Sequence, residues 1–199
     1  MFDRFERLII EPVVQFVGHV YLSAAGVSFG KGLRLYGLPA AYLHKNSKVV
    51  LGDQVTLRSK SKGNAIGVNH EVILRTHGDG ALIYFGNRVG MSGGAVCARK
   101  KVVIGDDVLI GSNVVIADND FHSVNPVARK KGECDNISKE VIIGNNVWIG
   151  ADVYICKGVT IGDNSVIGAK SVVTKSIPPN CIAAGVPAKV IKTLKVPTR

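Results

Sequence analysis

The chain has 199 residues, a length that suits one domain, and is 46% hydrophobic but only 6% aromatic. Twenty-five Lys and Arg against 15 Asp and Glu give a formal net charge of +10, which calls for an anionic partner. No arginine-rich helix or nucleic-acid module accompanies that charge, so nucleic acid is not the expected partner. Cys97, Cys134, Cys156 and Cys181 form no CxxC pair and no Cys/His ligand spacing, so they read as reduced cytosolic thiols and no metal is expected.

Residues 1–26 form the first segment. Phe2, Phe5, Ile9, Val13, Phe16 and Val20 recur at steps of three and four, the signature of an amphipathic helix. Pro12 is expected to kink or split it, or to open a second short helix. The start Met-Phe-Asp-Arg does not read as a secretory signal, and Glu11, Gln15 and His19 argue against a membrane-spanning segment. The apolar stripe is expected to pack over the open end of the structure that follows; peripheral attachment to a membrane surface is the sharper reading.

Residues 27–185 carry a six-residue period. It starts weakly at Phe29, Leu35, Leu51 and Leu57, is lost in the polar stretch around Ser59–Asn64, and resumes at Phe85, Met91 and Cys97. Ile104, Ile110 and Ile116 keep the step; Ile143, Ile149, Ile155, Ile161, Ile167 and Val173 repeat it. A small or polar residue follows each aliphatic, usually glycine, and Val108, Val114, Val147, Val153, Val159, Ser165 and Ser171 recur four positions after it. A helix would rotate the side chain by about 600° per step and scatter these residues around its circumference. A short strand and a tight turn, repeated as a stacked coil, keep them all inside, whereas a sandwich or ordinary barrel does not account for the phase. Gly-Asp-Asp, Gly-Ser-Asn and Gly-Asn-Asn triplets lie between the aliphatics, and Gly, Asn and Asp tolerate left-handed backbone angles.

The phase breaks across the polar excursion 117–140, which holds Asp118-Asn119-Asp120-Phe121-His122 and the basic run Arg129-Lys130-Lys131. An irregular segment on a repetitive scaffold is where function is expected. Past Lys175, Ile177-Pro178-Pro179-Asn180 interrupts the repeat, and residues 186–199 read as a tail.

From about residue 49 to 192 the chain resembles the hexapeptide-repeat transferases. The stretch from Val141 to Lys192, with the motifs DNDFHS, LRSKSKGNAIGVNH and GMSG, is most similar to the polysaccharide and sugar O-acetyltransferases and to the galactoside and maltose acetyltransferases. The resemblance implies an all-β fold: a left-handed parallel β-helix of triangular section, with the short N-terminal helical segment and a C-terminal cap. The handedness comes from the resemblance alone, since parallel crossovers are usually right-handed. It also implies a homotrimer with a site at each subunit boundary.

His122 matches the family's catalytic histidine. Imidazole titrates near neutrality and takes the proton of a hydroxyl too weakly acidic to attack a thioester unaided. Asp120 is the candidate for orienting that ring, in competition with Asp118. Ala151, Ala169, Thr174 and Lys175 match contacts to coenzyme A, as do Lys189 and Lys192 in the tail. Trp148 either covers the pantetheine arm or packs between subunits. Ser92, Asn69 and His70 match the acceptor side or else make coil-turn hydrogen bonds, and Arg129 is either the family's arginine or part of a solvated basic run. Asn125 departs from the Asp that often precedes the proline, so no carboxylate is available there to bind the acceptor. His77 reads as a turn residue.

The resemblance therefore implies an acetyl-CoA-dependent O-acetyltransferase acting on a sugar, glycolipid or polysaccharide precursor, cytoplasmic or at the inner face of the membrane. The alternatives are N-acetylation of a nucleotide-sugar or antibiotic, a zinc carbonic anhydrase using His70, His77 and His122, and a non-catalytic scaffold.

Overall fold

One aliphatic every sixth residue reaches a common interior only if the chain turns after each short strand. The computed structural model, which describes residues 10–132 and 138–195, is built this way. Its strands fall into three sheets of six, eight and six among the described residues. Up to Val172–Val173, strands three places apart along the chain pair in parallel. Lys101–Ile104 lies between Leu82–Phe85 and Val141–Ile143, with Ile104 opposite both Phe85 and Ile143. Successive coils therefore stack as a three-sided parallel β-helix. Inside, Leu57, Met91, Ile110, Ile149 and Ile167 form one column down the second sheet, and Leu74, Val96, Ile116, Ile155 and Val173 form another down the third. All are buried. Each contributes about 1.5–3 kcal/mol by leaving water, which makes this column the main source of stability.

The corners divide two demands that the sequence triplets blur together. The glycines right after the aliphatics do not take left-handed angles: Gly111 and Gly150 are needed because a Cβ there would sit 2.7 Å from the Ala151 amide nitrogen and 2.6 Å from that of Ala169. The left-handed residue comes two positions later, at Asp107, Asn113, Asn146, Asp152 and Asn164, with φ between 53° and 62°. The first Asx of each triplet has a separate task. Asp53, Asn87, Asp106, Asn145 and Asp163 each accept a backbone N–H from the preceding coil at 2.7–2.9 Å, forming a ladder along one corner.

Both ends of the coil stack are closed. Helix α1, Glu11–Ala24, begins with Pro12 in its first turn, where proline does not interrupt it; Phe2, Phe5 and Ile9 lie outside the described residues. The helix covers the first coil, but not with the expected stripe. Gln15 donates to the Leu35 carbonyl (2.6 Å) and accepts from its N–H (3.1 Å), and the Tyr21 hydroxyl accepts from the Ala41 N–H (3.0 Å). Gly18 and Leu22 are buried beside them, whereas Val13, Phe16 and Val20 face outward. The reason is chemical: an open strand edge presents unpaired N–H and C=O groups, so its cover must be polar. At the other end the repeat continues past Pro178-Pro179. Ile177 bridges to Ile161, Cys181–Gly185 runs parallel to Val166–Ile167, and Ala188–Thr193 turns back antiparallel to finish the second sheet.

Candidate active site

The excursion leaves the strand Val115–Ala117 and is pinched at its base, where the Lys139 N–H donates to the Asp118 carbonyl at 2.9 Å. Asp118 is fully buried. Its carboxylate accepts the backbone N–H groups of Arg99, Lys100 and Lys101 (2.6–2.8 Å) and the Asn119 side-chain amide (3.0 Å). A carboxylate occupied in this way holds the loop and is not available to orient His122.

The Asn119 amide is in turn fixed by what surrounds it. Because Asp118 accepts from its nitrogen, its oxygen is the atom that accepts the Phe121 N–H (3.0 Å), and the same nitrogen reaches His77 Nε2 at 3.0 Å. His77 Nε2 must therefore be an acceptor, so its ring is neutral with the proton on Nδ1. Burial pushes the His77 pKa below its ordinary value, with the Arg99, Arg75 and His44 charges in the same direction and Asp118 opposing. Phe121 packs on the His77 ring, 5.5 Å between centroids.

This network supports a strained turn. Phe121 has φ +62°, and the His122 N–H closes back onto the Asp120 carbonyl at 2.7 Å. A three-residue turn at positive φ around a bulky side chain is rare and costs about 1–3 kcal/mol, and such strain collects at functional sites. It presents His122 exposed at the tip. Among the described residues no group hydrogen-bonds the His122 ring. The Asp120 carboxylate expected to orient it is paired instead with the Lys157 ammonium, from the next coil at the same corner. Arg129 also turns inward, donating to the Ser123 (3.0 Å) and Val124 (3.3 Å) carbonyls. Asn125 caps helix α2, Pro126–Lys130, by accepting from the Val127 and Ala128 N–H groups. These two residues set the shape of the loop.

The donor-side residues assemble elsewhere. At the corner between the second and third sheets, Asn64, Ile66, Ser92, Trp148, Ala151 and Ala169 line a groove of about 620 Å³. A second depression of about 340 Å³ adjoins it, sharing Arg58, Ser92 and Trp148 and adding Arg88. Trp148 is 57% exposed. The amides of Ala151 and Ala169, one coil apart, donate to no backbone group among the described residues. The 59–72 loop is tied over the groove by the Ser112 hydroxyl on Asn64 Oδ1 (3.3 Å) and by the Asn69 N–H on Asn113 Oδ1 (2.8 Å). Asn69 and His70 hold this loop and do not line the groove; His70 Nδ1 lies 2.7 Å from the Glu71 carbonyl. Thr174 and Lys175 follow the strand Val172–Val173 at the corner of the His122 loop, away from Ala151 and Ala169, and Lys189 and Lys192 are exposed on the last strand.

His122 does not line the groove. Its loop connects the third sheet to the first, and the groove connects the second to the third. A whole sheet face, roughly 15–20 Å at the rise of a β-strand, separates them within one chain. Neither Cys97 nor Cys156 offers itself as a covalent carrier: burial pushes both thiols up, and the Asp120 carboxylate adds to the effect at Cys156. Among the described residues no three His, Cys, Asp or Glu side chains are grouped as a metal ion requires. The sequence reading took His77 as a turn residue and missed its pairing with Asn119, which lies 42 residues further along the chain.

Two family models match the chain: that for the bacterial transferase hexapeptide (six repeats) over residues 140–175, and that for the hexapeptide repeat of succinyl-transferase over residues 101–117. A putative lipopolysaccharide biosynthesis O-acetyl transferase, WbbJ, of Escherichia coli (strain K12) is 32% identical over 171 residues, covering 82% of this chain and 81% of that protein. A galactoside O-acetyltransferase of the same organism is 57% identical over 93 residues, 47% of this chain; the chain spans only 44% of that relative's length. Among solved structures, a galactoside acetyltransferase in complex with coenzyme A superposes with a TM-score of 0.53 at 32% identity, covering 92% of this chain and 82% of that one.

Proposed function

This chain belongs to the hexapeptide-repeat acetyltransferase family, and on that premise we propose that it is an acetyl-CoA-dependent O-acetyltransferase acting on a hydroxyl of a sugar, glycolipid or polysaccharide precursor. The observation that carries this reading is the exposed imidazole of His122 on a strained turn held from beneath by Asp118, Asn119 and His77. His122 takes the proton of the acceptor hydroxyl as its oxygen attacks the acetyl carbonyl. The C–O bond forms, the C–S bond breaks, and the imidazolium returns its proton to the departing thiolate, so the cycle closes with the base regenerated. No acyl-enzyme is needed, in keeping with raised, buried thiols.

The groove fits a long, thin donor. Glycine and alanine make up much of its wall, its amides at Ala151 and Ala169 are open to the pantetheine amides, and Trp148 stands over it. Lys189 and Lys192 meet the phosphates as point charges. The separation of His122 from the groove supports an assembly in which a neighbouring copy supplies the missing half, with three copies of a left-handed β-helix around a common axis and three sites per trimer. The setting is the cytoplasm, at the inner face of the membrane.

Thiol release from acetyl-CoA, followed against a panel of sugar, nucleotide-sugar and glycolipid acceptors, tests the activity. Hydroxylamine cleavage of the product identifies an ester; a resistant product is an amide and moves the acceptor group to nitrogen.

A further inference from the structure

Helix α1 buries its polar side and exposes its apolar one. Gln15, Gly18 and Leu22 lie against the first coil, while Val13, Phe16, Val17 and Val20 are 55%, 72%, 44% and 54% exposed along one outer arc, with Ile10 continuing it. A helix that ends in water carries charge on its outer face. This one has Glu11 as its sole charged residue.

The surroundings of that arc are mainly cationic, with Glu11 at its start and Asp53 on the Lys31 N–H as the nearby acids. From Pro12 to Gly52 the chain contains no Asp or Glu, and its four cations, Lys31, Arg34, Lys45 and Lys48, are all exposed, on the first coil and at the start of the second. Arg34 borders the same depression as Phe16, with Glu11 at its edge and Pro12, Gln15, His19 and Tyr36 along it. Exposed Leu38 and Tyr42 add apolar surface to the same coil. An apolar strip within a cationic rim would set like charges face to face if two copies met through it symmetrically. An anionic lipid surface pairs with both features at once.

We propose that this end of the β-helix docks on an anionic bilayer, with α1 lying in the interface and the Lys31, Arg34, Lys45 and Lys48 rim on the headgroups. The helix has 14 residues, about 21 Å in length, and no helix among the described residues is long and apolar enough to cross a membrane, so the contact is with the surface. Docking by this end would hold the acetylating sites, spaced along the coils, at a fixed height above lipid-linked acceptors.

The test is co-sedimentation of the full chain with vesicles of phosphatidylglycerol and of phosphatidylcholine, with light scattering for the mass of the free protein. The wild type is expected to pellet with phosphatidylglycerol and to be released as salt rises, with little retained by phosphatidylcholine. Phe16→Glu with Val20→Glu should reduce binding by about tenfold or more at unchanged thermal melting and unchanged mass. Should that pair unfold, Phe16→Ser with Val13→Ser gives the same reading more gently. Lys31→Gln with Lys45→Gln should remove the preference for phosphatidylglycerol. A wild type that stays in the supernatant at low salt overturns the proposal. So does a helix variant that pellets undiminished, and so does one whose mass falls, since the arc would then be a contact between copies. Turnover on a soluble acceptor is independent of this test, so loss of docking and loss of the proposed activity are read separately.

Discussion

His77 gives the site a pH signature. Its folded pKa is depressed, chiefly by burial, so as pH falls below the ordinary value of 6.5 the unfolded chain takes up a proton that the folded chain refuses. Stability from this group is complete above pH 6.5 and is lost as pH falls toward the depressed value; melting temperature should decline there in the wild type and decline less in His77→Gln. Protonating Nε2 also sets it against the Asn119 amide, loosening the Phe121 turn. Asn119→Ala is therefore expected to lower kcat by roughly 10–100-fold with the KM for acetyl-CoA nearly unchanged, since a misplaced base harms the reaction more than donor binding. His122→Ala should retain the wild-type circular dichroism and lose about 10²–10⁴ in turnover. Turnover near the wild-type level would remove His122 from the mechanism. The excursion that carries His122 was legible from the break in the six-residue phase. Its support was not, because Asn119 and His77 are 42 residues apart and Asp120 and Lys157 are 37 apart, and only coil stacking brings such pairs together.

The strand–turn unit was legible because a six-residue period has one geometrical solution, and the turn triplets marked its corners. What the triplets do at those corners required the neighbouring coil. Asn145 reads as a turn former, yet its side chain takes the Asp106 N–H at 2.8 Å while its own N–H goes to Asp163. Asn145→Ala should lower stability by about 1–2 kcal/mol, read as an earlier urea midpoint with the slope unchanged. Gly150→Ala should be the harsher change despite its size, because its Cβ would meet the Ala169 backbone and neither coil can yield alone. Trp148→Ala, by contrast, removes a mostly exposed side chain and should raise the KM for acetyl-CoA while sparing the melting temperature. Helix α1 shows the limit of periodicity as a guide: it located a helix correctly across the described part but assigned the wrong side to the protein, because apolar spacing carries no record of what the strand edge beneath requires.

At the scale of the whole molecule, the distance between His122 and the groove defines an experiment on assembly. A His122→Ala chain and an Ala169→Arg chain with a blocked groove should each be nearly inactive. Co-expressed, they should recover activity if the proposed assembly forms, because a mixed assembly of that kind would contain boundaries at which an intact histidine meets an intact groove. A mixture as inactive as its parts would assign both halves of the site to one chain. The net charge of +10 is a sum over the chain and does not say where the charge sits, since composition does not distinguish a lysine in the last strand from one on the first coil. The pinch between Lys139 and Asp118 has a further consequence. The coils above and below the excursion pair directly, Val102 with Val141 and Ile116 with Ile155, so the scaffold does not register how much chain is looped out between them. Doubling a loop closed in this way costs only about 0.6 kcal/mol in entropy. The excursion is thus a cassette, whose length can change at small cost to the β-helix that carries it.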